Sequence, residues 1–148
     1  MSSPTDFEPV YATLFATSAA LFGFNLTRRR WKHWNDVNDS DFPCLFQVQA
    51  DEINLEKRRG VPGKWELHPI QWLYVYAGND ETTDPSMLLN PMIGSIRAIY
   101  PQGGQDFQIQ TLDGLVSHCW INKVEMMEGV LGPKEVAAIH FDILLTSV

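Results

Sequence analysis

The sequence predicts an α+β protein, a mostly antiparallel β-sheet flanked by two helices in the order α-β-β-β-α-β-β-β. Three observations carry this. Two segments repeat apolar residues at helical spacing, around Val10–Phe22 and Leu89–Tyr100. The last strand-like run, Glu135–Leu145, alternates strictly, with Ala137, Ile139, Phe141, Ile143 and Leu145 on one face. No strand–helix unit recurs as it would in a doubly wound parallel sheet. At 148 residues the whole chain, 1–148, reads as one domain.

The first helix is expected over Phe7–Phe22. Thr5 and Glu8 have capping-box spacing, Pro9 sits in the first turn, and Gly23 supplies a stop. Phe24–Trp31 follows as a candidate strand, then a loop rich in Asp, Asn and Ser at Asn35–Asp41. Pro43 opens a second strand, Cys44–Ala50, and Glu56–Gly63 (EKRRGVPG) is a charged excursion before the long third strand, Trp65–Ala77. Pro69 has no N–H for a ladder, so it implies an edge or a bulge.

Leu73, Val75 and Ala77 share one face of that strand; Trp72, Tyr74 and Tyr76 share the other. The aromatic face is either covered by a helix or left as an interface, where an apolar ring with a polar tip is at home. Asp84-Pro85 and Asn90-Pro91 are two successive helix starts, giving either one helix kinked at Pro91 or a short turn before a second helix. The remainder reads as strands Asp106–Thr111, Leu115–Met127 and Glu135–Leu145, turned at Asp113-Gly114 and Gly129–Pro133. A hairpin centred near Leu131 sets Trp120 opposite Ile143 and Val124 opposite Ile139. Cys119 and Ile121 then lie on the face away from the core and need a cover.

The formal charge of −7 argues against coating nucleic-acid phosphates as a main task. The apolar run Val10–Phe24 follows acidic Asp6 and Glu8, so it reads as a helix rather than a secretory signal, in a protein folded in a cytosol. Two cysteines, Cys44 and Cys119, read as reduced, packed thiols. No phosphate-binding loop, dinucleotide fingerprint, nucleophile elbow or zinc-protease motif occurs. His118 beside Cys119 points to the opposite strand face, and His118 and His140 fall at different heights of the hairpin, so neither a nucleophile pair nor a shared metal is expected. The expectation is a protein without catalytic residues, metal or cofactor.

The candidate subunit or partner interface comprises Arg28, Arg29, Arg30 and Trp31 of the basic run RRRWKH, with Lys57, Arg58 and Arg59 of the excursion. To these are added Trp72, Tyr74 and Tyr76 of the aromatic face, and Glu125 and Glu128 beside the last turn. As a strand, the basic run splits Arg28, Arg30 and Lys32 from Arg29, Trp31 and His33. Its arginines suit either carboxylates of a neighbouring subunit or, with Trp31 stacking, a nucleic acid.

The segment Gly114–Leu145 is similar to the C-terminal hairpin of phage tail terminator (tail completion, minor tail protein U-like) proteins, with its acidic strand end E-G-V-L-G and alternating final strand. The basic strand entry with the W-N-D-V loop, Phe24–Val37, and the P-x-W-x-[IL] entry at Pro62–Leu67 resemble the same family. The resemblance implies a structural virion protein at the tail–neck junction, made in the bacterial host cytoplasm. It would form a ring of itself, commonly a hexamer, that caps the tail tube protein, stops its polymerisation and docks the head-side connector or stopper. A sheath would be a further partner if the tail contracts; DNA would pass through the lumen without specific binding, and no membrane is involved. Another phage neck or head-completion connector, of stopper or adaptor class, shares such small α+β folds. A small non-viral binding module is the remaining alternative.

Overall fold

The computed structural model describes residues 6–55, 58–60, 63–78, 82–101, 109–127 and 133–146. Its elements are α1 (Glu8–Ala19), β1 (Leu26–Arg28), β2 (Cys44–Asn54), β3 (Lys64–Tyr76), α2 (Pro85–Arg97), β4 (His118–Met127) and β5 (Lys134–Thr146). The five strands form one sheet in the order β1-β2-β3-β5-β4. All neighbours are antiparallel except β1 and β2. The expected α+β class is therefore observed, with one strand fewer among the described residues.

The helix α1 differs from expectation at both ends. Its N-cap is Phe7, which offers no side-chain cap, and the Glu8 amide is instead satisfied by Asp6 Oδ1 at 2.9 Å. Thr5 lies outside the described residues. The helix stops at Ala19, with Ala20 as C-cap, before Gly23 is reached. By contrast α2 follows its signals: Asp84 accepts from the Ser86 amide, and one helix runs through Pro91. Pro91 removes the hydrogen bond its N–H would give the preceding turn, yet Leu89, Met92, Ile93 and Ile96 bury the helix against the sheet. That burial holds the interrupted helix together.

Only Leu26–Arg28 of the expected first strand pairs, and it lies parallel to β2, so the strand alternation does not extend through Arg29–His33. Of the expected strand at Asp106–Thr111, residues 102–108 lie outside the described residues and 109–111 are not strand, although Gln110 O accepts from the Cys119 amide at 2.8 Å. The Asp113-Gly114 turn is built by three successive left-handed residues, Leu112, Asp113 and Gly114. The strand after it begins at His118, three residues later than expected.

Pro69 sits in the central strand β3, not on an edge. The neighbouring β2 bulges opposite it: pairing jumps from Val48↔Ile70 to Asp51↔His68, with Ala50 in a left-handed conformation (φ 52°). A second bulge lies at Asn122, between Ile121↔Phe141 and Lys123↔His140. Val124 faces Ile139 as expected, but the bulge shifts the register by one beyond it. Cys119 therefore meets Ile143, and Trp120 meets Asp142. Cys119 and Ile121 consequently lie on the core face, 0% and 5% exposed, and need no second cover.

Both helices cover that core face, where Val10, Leu14, Leu45, Leu67, Leu73, Ile96, Ile139 and Phe141 form one cluster. Gln47 and Gln71 are buried within it: Gln71 Nε2 donates to Gln47 Oε1 at 2.9 Å and Gln47 Nε2 donates to Tyr11 O, while Gln71 Oε1 has no hydrogen-bond partner among the described residues.

Candidate functional site

On the opposite face the sheet is only half covered. The connection from β1 to β2 crosses the end carrying Tyr74 and forms two short 3-10 turns, Trp34–Asp36 and Asp39–Asp41. Val37 and Phe42 from this connection close a second cluster with Cys44, Phe46, Tyr74 and Val136. Tyr74 is 1% exposed and donates its hydroxyl to Lys32 O at 2.6 Å. Trp72 and Tyr76 pack against the same cluster. The aromatic face is thus covered by the chain's own connection and not by a helix. Tyr74 is buried beneath that cover in the protomer.

Lys134 reinforces this cover. Its ammonium sits 5.6, 5.3 and 5.8 Å from the ring centres of Trp34, Phe42 and Tyr76, and 3.5 Å from Asp39. Cys44 donates to Asp41 O at 3.2 Å, and burial pushes its thiol up to about 12. Cys119 is raised further, by burial first and then by Asp142. Neither thiol suits a nucleophile at neutral pH.

The connection also carries the basic run. Arg28, Arg30, Trp31 and Lys32, with Leu26, Asp41 and Phe46, line a groove of about 420 Å³. Arg28 bonds its neighbour's carbonyl, Thr27 O, and Trp31 stands edge-on to Trp72 while remaining 44% exposed. Arg29 departs from the group, pairing with Glu8 of α1 at 2.6 Å. Arg58 and Arg59 are exposed in the excursion; Lys57 lies outside the described residues.

The uncovered half of this face is bounded by β2, β3, β5 and β4. Ile53 is 46% exposed, Trp120 and Leu144 are half-buried, and His118 stacks on Trp120 at 5.1 Å, while the exposed Met127 lies at the other end, paired with Val136. Among these apolar groups lies a polar band. Glu125 takes Lys123 at 2.6 Å and His140 at 3.1 Å, and the Lys123 hydrogen bond holds its carboxyl below the usual range. Glu128 lies outside the described residues.

Beside this pair stands a set the sequence reading passed over: Glu66, His68 and Asp142. Glu66 and His68 alternate on one face of β3, a spacing visible in the sequence. The approach of Asp142 required the register.

No family model and no curated protein matches the chain. Among solved structures it is similar to a chain of the virion of a native gene transfer agent (GTA) particle. The likeness covers 93% of this chain and 92% of that one, at 11% identity and a TM-score of 0.46. A likeness of that size carries no functional argument. No helix among the described residues is long and apolar enough to cross a membrane.

Proposed function

We propose that the chain is a structural virion protein of the phage tail terminator class, acting as a ring subunit with no catalytic step. The observation that carries this reading is the half-open sheet face. A protomer that buries one side under two helices leaves Ile53, Trp120 and Leu144 on the uncovered half of the other, and carries an exposed basic groove at its β1 edge. Such a surface suits association with another protein better than life as an isolated monomer. The sequence resemblance over Phe24–Val37, Pro62–Leu67 and Gly114–Leu145 supplies the terminator assignment.

In this reading one protomer meets the next through a heterologous contact whose rotation closes, commonly six-fold, and the two axial faces meet different partners. One face caps the tail tube protein; the other receives the head-side connector. The net charge of −7 lets DNA pass through the lumen without sticking. A neck or head-completion connector is the competing assignment. Electron micrographs of lysates lacking this protein separate the two. Overlong tail tubes are expected, whereas normal-length tails that fail to join heads would assign the chain to the connector class.

A further inference from the structure

The polar set on the open half-face is more deeply buried than Lys123 and Glu125 beside it. Asp142 is 7% exposed, and both its oxygens are committed. Oδ1 lies 2.7 Å from His68 Nδ1, and Oδ2 accepts from Asn122 Nδ2 at 3.0 Å. Asn122 is the bulge residue of β4, so the break in the ladder is what places its amide beside Asp142. Because a carboxylate accepts, His68 Nδ1 carries the hydrogen, and the neutral ring then has its lone pair on Nε2.

That Nε2 is buried and makes no hydrogen bond, yet it lies 3.3 Å from Glu66 Oε1. A bare nitrogen and a carboxylate oxygen at that distance repel unless a proton or a metal cation sits between their lone pairs, and the pair does not meet hydrogen-bond geometry. A zinc ion keeps nitrogen and oxygen ligands at about 2.0–2.2 Å. Tetrahedral geometry then separates the two ligand atoms by about 3.3–3.5 Å, which spans the observed spacing. A hydrogen bond needs donor and acceptor aligned with each other, whereas two ligands of one ion aim at the ion.

We propose that His68 Nε2 and the Glu66 carboxylate bind a divalent transition-metal cation of the zinc class. Asp142 is a positioning residue: it fixes the His68 tautomer and ring plane through Nδ1, as carboxylates do behind metal-bound histidines. The remaining coordination positions face the open half of the sheet and are filled by water in the isolated protomer. His140 Nε2 is likewise buried without a hydrogen bond, 3.1 Å from Glu125 Oε1, but Glu125 is exposed and already paired with the Lys123 ammonium at 2.6 Å, so His140 is not part of the site.

Calorimetric titration of the chelator-treated full chain with zinc chloride tests this, alongside long-range ¹H–¹⁵N spectra of the histidine side chains. One zinc per chain is expected, with the His68 Nε2 resonance shifting on binding while Nδ1 stays protonated. Glu66→Gln and His68→Gln, both at partly exposed positions, are each expected to weaken binding at least about tenfold. His140→Gln is expected to leave it unchanged. Equal affinity in the Glu66→Gln and His68→Gln proteins would overturn the proposal. So would a His68 ring protonated on both nitrogens and unmoved by millimolar zinc, since a proton would then hold the place given to the metal.

Discussion

Ser18 Oγ and Tyr100 Oη lie 3.0 Å apart in the core, tying the last turn of α1 to the residues that follow α2. Both side chains are buried, and the Tyr100 hydroxyl also approaches Leu14 O at 3.4 Å. The ring itself packs edge-on against Phe141 of β5 at 4.9 Å. One residue therefore joins both helices to the sheet, through an apolar body and a polar tip. Tyr100→Phe keeps the body and strands the Ser18 hydroxyl. The expected loss is about 1–2 kcal/mol, read from urea unfolding. Ser18→Ala in the Tyr100→Phe background is expected to recover part of it, because no buried hydroxyl is then left unpaired.

Alkaline pH is expected to weaken the fold before acid does. Burial raises Tyr11, Tyr74 and Tyr100 above their ordinary 10.0, and raises Cys44 from 9.0 to about 12. Each group is neutral when protonated, and the folded protein favours that form. The unfolded chain releases these protons first, so stability is fully present below pH 9 and falls as pH climbs from 9 towards 12. Urea midpoints measured at pH 7, 9 and 10.5 check the sign. Cys44→Ala should flatten the first part of the decline, and an unchanged slope in that variant would assign it to Cys119 and the tyrosines.

Deleting Asn122 is expected to keep the fold, because Ile121↔Phe141 and Lys123↔His140 then follow one another as neighbouring pairs of a regular ladder. Cys119 and Ile121 stay on the core face, and the Asp142 hydrogen bond is lost. Asn122→Ala keeps the extra residue and loses the same bond, so both variants are expected to cost about 1–3 kcal/mol, read from urea unfolding. A deletion far more costly than the substitution would show that the bulge itself is needed to set the register.

That bulge also marks how far the sequence could be read. The alternation in Ala137–Leu145 and the stripe Leu89–Ile96 are local patterns, and both elements appear where those patterns lie. The bulges at Ala50 and Asn122 leave no local signature, because an extra residue becomes visible only against the partner strand. From Asn122 came the misplacement of Cys119 and Ile121. The cover over Tyr74 was equally hidden: the Asp- and Asn-rich stretch reads as a loop, yet Val37 within it and Phe42 just after it are buried. Glu66 and His68 were legible as a pair sharing a face, but Asp142 joins them only across strands.

The basic groove carries the last prediction. Arg28 and Arg30 are exposed and line it together with Lys32, while Arg29 is already paired with Glu8. Arg28 bonds its neighbour's carbonyl, and both Arg28 and Arg30 are exposed, outside the core clusters. If copies pack head to tail, this groove can face an acidic stretch of the next copy, such as the exposed Glu125 region. A single surface pair contributes little to stability, and one reversal should be tolerated. Reversing two charges sets like against like in every interface of a closed ring, and the symmetry repeats the penalty at each junction. Arg28→Glu combined with Arg30→Glu is therefore expected to fold with an unchanged urea midpoint and to fail in ring closure or tube docking. An Arg29→Glu control should instead lose only its local pair with α1. If the arginines grip DNA, the double variant should give complete rings and normal-length tails with defective DNA retention. Electron microscopy of particles made with the double variant decides between the two: complete rings on normal-length tails would exclude the subunit-interface role.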